Sequence, residues 1–162
     1  MTDLPVYKSN DVSCEDPITG TLRFIGDYSD FSVNKLFFIR LLKAEADRLN
    51  LTQARICFHK NDSSPLQVML VYHAFEHEVR KHVHSEKDEY IQIIQGSLSV
   101  RIYDQSGKNV RSLRLSDGSR ENSGDLFCFV AKDVVHDVVM HCDSVFLETT
   151  SGPFNKNSTV YI

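Results

Sequence analysis

The sequence predicts an all-β fold, an antiparallel sandwich or small barrel, preceded by one amphipathic helix. Three observations carry this expectation. From residue 54 onward the chain is a series of short runs rich in β-branched and aromatic residues, turn formers separate the runs, and no helical periodicity interrupts them. At 162 residues the chain reads as one domain with room for a sizeable core.

The elements follow in chain order. Residues 1–31 read as an N-terminal arm, polar and carrying Pro5, Pro17 and Gly20, with one short strand candidate over 21–25. It is expected to lie on the main body or on a neighbouring subunit. Residues 32–162 form the second unit, a helix plus a β domain. Between 32 and 50, Leu36, Ile39, Leu42, Ala46 and Leu49 recur at three- and four-residue intervals among charged residues, which predicts an amphipathic helix capped by Ser32 or Asp30. Strands are predicted over 54–59, 66–75, 90–94, 97–103, 109–115, 125–130, 136–142 and 144–150, with the long polar stretch 116–125 as a loop. Leu98, Val100 and Ile102 point to one face of their strand, and Ser99, Arg101 and Tyr103 to the other.

Composition excludes several classes of function. The formal net charge is −4 and the lysines and arginines are scattered, so no nucleic-acid partner is expected. No run approaches the roughly 20 apolar residues that span a bilayer, and the N-terminal stretch has no signal-peptide core, so a cytoplasmic protein without a membrane role is expected. Cys14, Cys57, Cys128 and Cys142 lie far apart without a CxxC pair and read as reduced thiols.

The stretch HVHSEKDEYIQIIQG, from His82 to Gly96, carries the chemistry. Alternate residues of a strand share a face, so His82 and His84 point the same way with Cα atoms roughly 6–7 Å apart, close enough for two imidazoles to converge on one ion. Such pairs also occur on solvated strands. Glu89 opens the next strand on the face of Ile91 and Ile93, where a carboxylate needs a cation or strong donors. Glu86 and Asp88 read as turn charges. Further on, Ala131, Lys132 and Asp133 turn the chain, and the hairpin returns His136 to the same end of the β domain. His141, at an odd offset from His136, faces the opposite side and is discounted as a ligand. His73 and His77 stay undecided.

HxH, four residues, Glu, six residues and Gly resembles the first motif of the cupin superfamily, at His82, His84, Glu89 and Gly96. The stretch from Gly124 to His136 is similar to the second motif, and over 32–162 the chain looks like the WbuC-type cupin-fold metalloproteins. Val130 and Lys132 stand where the second motif usually has Pro and Gly, and Glu76 where the first often has Gly. Asp133 tolerates left-handed backbone angles and can serve the turn instead. The resemblance implies a cupin double-stranded β-helix, a jelly-roll barrel, with a three-His, one-Glu metal site made by His82, His84, Glu89 and His136. It also implies a homodimer and an association with surface-polysaccharide biosynthesis.

Three neutral imidazoles and one carboxylate suit a divalent transition metal, Fe, Mn, Ni, Co or Zn, with open coordination positions for a small-molecule substrate. Glu148 is the candidate catalytic acid or base, or else an arginine partner. Arg55 and His59 could recognise an anionic or sugar-like substrate, or lie on a solvated edge strand. Gln67, Met69 and Met140 are candidate pocket residues, and Cys142 is expected to lie deep on the face of Val138 and Met140. Three functions stay open: an isomerase- or epimerase-like metal enzyme acting on a polar or sugar-derived metabolite, an Fe(II) dioxygenase, and a non-catalytic binding module.

Overall fold

The computed structural model describes residues 11–29, 31–119 and 124–162. The first ten residues of the expected arm and positions 120–123 of the expected polar loop therefore lie outside the described residues, as does Asp30.

After β1 (Val12–Asp16) and β2 (Thr21–Phe24) comes α1 (Lys35–Leu49). Its cap is Asn34 rather than Ser32: the Asn34 side-chain oxygen accepts from Phe37 N–H at 3.0 Å. Asn50 ends the helix in the left-handed region at φ 55°. The buried stripe is Phe38, Ile39, Leu42 and Ala46. Leu36, expected on it, is instead 63% exposed, because it lies about a third of a turn round the helix from Leu42, off the face that the buried stripe occupies. Burying each of the large stripe residues contributes about 2 kcal/mol.

The remaining strands are β3 (Gln53–Cys57), β4 (Leu66–His73), β5 (His77–His84), β6 (Glu89–Gln95), β7 (Ser97–Tyr103), β8 (Asn109–Ser116), β9 (Phe127–Val130), β10 (Val135–Met140), β11 (Ser144–Ser151) and β12 (Thr159–Tyr161). They form a seven-stranded sheet in the order β1-β2-β3-β4-β11-β6-β9 and a five-stranded sheet in the order β12-β5-β10-β7-β8. Every pairing is antiparallel except β2 with β3.

Strand alternation sorts the seven-stranded sheet into two faces. Ala54, Ile56, Leu70, Tyr72 and Val145 join the helix residues in one apolar cluster. Val71, Ile91, Ile93 and Phe146 turn the other way and meet Leu98, Val100, Val138 and Met140 of the five-stranded sheet in a second cluster. Arg55 and Glu148 lie at inward positions of the same strands, since each is one residue from a neighbour that faces the helix.

A bulge in β5 decides which histidines face inward. His136 pairs with His82 and Val138 with Val79, so two steps along β10 span three along β5. The extra residue brings His77 and Val79, as well as His82 and His84, to one cavity. A regular strand would have put His77 and His82 on opposite faces.

The cysteines are free. Cys57 and Cys128 are buried as expected, and burial pushes their thiols up to about 11 and about 12. Cys142 is exposed, which corrects the expectation of a deep position: β10 ends at Met140 and Cys142 falls in the turn that follows. Among the described residues no helix is long and apolar enough to cross a membrane.

Candidate metal centre

His82 and His84 come from β5, His136 from β10 and Glu89 from the start of β6, so the four side chains belong to both sheets. One ligand atom from each lies within 4.8 Å of the others, and all four residues are buried. The Nε2 atoms of His136 and His84 stand 3.2 and 3.6 Å from the same Glu89 Oε2.

Each imidazole is held by its other nitrogen. His82 Nδ1 lies 2.8 Å from the Arg80 carbonyl oxygen in the bulge, His136 Nδ1 2.9 Å from the Val134 carbonyl oxygen, and His84 Nδ1 3.0 Å from Thr159 Oγ1 on β12. With a proton on each Nδ1 donated to these oxygens, every Nε2 lone pair is free to bind a cation. This is the observation by which the residues fit a divalent ion: three oriented lone pairs and a carboxylate share one buried place.

Charge reinforces the geometry. Burial alone would raise the Glu89 carboxyl, but the His136 and His84 rings that approach it outweigh burial and hold the group well below the usual carboxylate range. Burial pushes His82 down to about 4, which keeps its ring neutral and able to coordinate. For His136, burial is the largest single influence and pulls down, but the contacts with Glu89 and the Val134 carbonyl and the negative charges of Glu89 and Asp137 together outweigh it, and the net direction is upward.

The turn that delivers His136 is built as the sequence allowed. Asp133 takes φ 63°, the left-handed angle expected of it, and its N–H donates to the His84 carbonyl at 2.7 Å. Asp88 is more than a solvated turn charge: its Oδ1 accepts from Lys132 N–H at 2.9 Å and ties the turn to the loop before Glu89. Glu86 accepts from Asn155 Nδ2 at 2.8 Å.

A cavity of about 340 Å³ opens beside the four residues. Glu148, Arg55 and Met140 line it, as do His73 and His77, which stack with ring centroids 5.0 Å apart. Burial first, then Glu89, pushes the Glu148 carboxyl upward, against Lys87 and Arg55, which pull it down. His59, Gln67 and Met69 line an adjoining cavity of about 510 Å³ instead. Val68 N–H donates to His59 Nδ1 at 3.1 Å, and Gln67 Nε2 donates to the Ser64 carbonyl at 2.8 Å, so both side chains hold local structure. His141 faces away, as expected, and contacts Ser99 and Glu76. Lys87, Thr159 and Tyr161 also line the cavity. The sequence reading did not single them out, because a turn lysine and a three-residue strand carry no periodic signal.

A family model described as "Domain of unknown function (DUF6016)" matches residues 38–115, a span that contains His82, His84 and Glu89. No curated protein matches the chain. Among solved structures, the capsular polysaccharide assembling protein CapF from Staphylococcus aureus is similar with a TM-score of 0.55 and 16% identity, over 68% of this chain and 30% of that one. The fold is the cupin jelly roll. KdgF from Halomonas sp. (TM-score 0.47, 21% identity, 65% of this chain and 83% of that one) and oxalate decarboxylase from Bacillus subtilis (0.49, 20%, 62% and 24%) are more distantly similar. The chain thus spans about a quarter of oxalate decarboxylase and under a third of CapF.

Proposed function

We propose that this cupin is a metal-dependent enzyme acting on a small polar or sugar-derived metabolite by isomerase- or epimerase-type proton transfer. The observation that carries the reading is the convergence of His82, His84, His136 and Glu89 at the wall of a cavity that also holds Glu148. A divalent ion held by these four residues would supply Lewis-acid polarisation of a substrate carbonyl. Glu148 takes the proton from the carbon beside that carbonyl and returns it to a neighbouring atom, and its raised proton affinity suits both halves of the transfer. Val138, Met140 and Phe146 keep the inner wall apolar and restrict water around the exchanging proton. The likeness to WbuC-type proteins supports a place in surface-polysaccharide biosynthesis, in a cytoplasmic homodimer.

The test is incubation of metal-loaded protein with a panel of aldoses, ketoses and their derivatives in deuterated water. Wild type should place deuterium at one substrate carbon, and Glu148→Gln should lose this by about 100-fold or more while keeping its ion. Oxygen uptake with iron in place of exchange would point to a dioxygenase. A retained ion with neither activity would leave a binding module.

A further inference from the structure

Two cations face the cavity without partners. Arg55, inward on β3, and Lys87, in the turn between β5 and β6, are both half-buried, and among the described residues neither side chain makes an ion pair or a hydrogen bond. The other half-buried arginines among the described residues are paired: Arg23 with Glu15 and Asp62, and Arg101 with Glu78 and Asp137. Asp16, whose carboxylate acts electrostatically with Arg55, has its oxygens engaged by Ile18 N–H and the Thr19 hydroxyl, each at 2.9 Å. Glu148 forms no ion pair with either cation.

Their position is specific. Arg55, Lys87, Glu148, Thr159 and Tyr161 line both the inner cavity and the adjoining one, so the two cations stand where the two cavities meet. A divalent ion held by His82, His84, Glu89 and His136 would add positive charge to the same cavity. Partly desolvated cations without a direct ion-pair partner are costly, and a bound anion would offset that cost.

We propose that Arg55 and Lys87 bind the anionic group of an acidic sugar derivative, a polyol bearing a carboxylate or a phosphate, whose hydroxyl oxygens then face His82, His84, Glu89 and His136. This substrate class rests on the metal-site reading given above. Arg55 supplies a planar pair of donors, and Lys87 a mobile point charge that closes over the ligand from the turn.

Calorimetry on manganese-loaded protein tests this with three matched probes: glucitol, gluconate and glucitol 6-phosphate. At least one of the two anions should bind about tenfold or more tightly than glucitol, and the tighter anion identifies the group. In the Arg55→Gln/Lys87→Met double variant the preference should collapse by about tenfold, with manganese content and melting temperature unchanged. Should the double variant not fold, the Lys87→Met change in the turn carries the same comparison. Equal binding of all three probes, no binding of either anion, or an anion preference that survives in the variant overturns the proposal. Manganese content separates this from the underlying reading: a wild-type protein that takes up no ion sinks the metal site, whereas a metal-replete protein indifferent to the anionic group sinks only the Arg55 and Lys87 assignment.

Discussion

His136 Nε2 and Glu89 Oε2 stand 3.2 Å apart across the space between the two sheets. One belongs to β10 and the other to β6, so this contact spans the two layers at the cluster. His84 reaches the same oxygen from β5 at 3.6 Å. Glu89→Gln removes the negative charge that all three imidazoles surround. Elemental analysis of protein purified without added metal should find a near-stoichiometric ion in wild type and little in Glu89→Gln or His84→Ala. Equal metal in all three would remove these residues from a metal site.

Thr159 acts on the cluster through His84. Its Oγ1 is 3.0 Å from His84 Nδ1, and the loss of such a contact typically weakens metal binding by about 10- to 100-fold. Thr159→Val should show that loss in a competition titration against a chelator, and Thr159→Ser should restore most of the affinity. Identical affinities in wild type and Thr159→Val would mean that packing alone orients the His84 ring.

His73 should make the stability of the protein pH-dependent. Burial first, then His77 and Arg55, push its ring from the ordinary 6.5 to about 4. The unfolded chain takes up this proton near 6.5 and the folded chain only near 4, so the contribution is complete above about 6.5 and is lost as the pH falls towards 4. By pH 5 the loss is about 2 kcal/mol. Denaturant unfolding at pH 7 and pH 5 should show His73→Phe losing less stability than wild type by about that amount, since Phe can still stack on His77 and Phe146. Parallel losses in the two proteins would contradict it.

Asp133 is the residue that lets a chain without the usual Pro and Gly make the turn before His136. At φ 63°, a β-branched residue is strained by about 1–2 kcal/mol. Asp133→Val should lower the denaturation midpoint accordingly, while Asp133→Gly should leave it nearly unchanged. A neutral Asp133→Val would mean that the turn relaxes to another conformation.

Much of the fold was legible because it rests on local patterns. Leu98 and Val100 alternate with Ser99 and Arg101 in the sequence and are fully buried in the structure, and Glu89 shares its inward face with Ile91 and Ile93 as their spacing requires. The gathering of His82, His84, Glu89 and His136 was legible through motif spacing and the odd offset that sets His141 apart. The helix cap and the exposure of Leu36 were not, because several adjacent residues could serve as cap and an apolar side chain at a helix end carries no sign of what it packs on.

The amino-acid pattern alone determined the strand periods, the helix, the shared face of the histidine pair and the left-handed turn at Asp133, since each depends on residues within a few positions of one another. Tertiary structure decided the rest. Only the pairing of β10 with β5 creates the bulge that turns His77 and His82 to one side, only the addition of β12 brings Thr159 to His84, and only the facing of two sheets sets Arg55, Lys87 and Glu148 around one cavity. These are relations between segments far apart in the chain, and register and sheet order are set by the packing of the whole domain rather than by any single stretch of it.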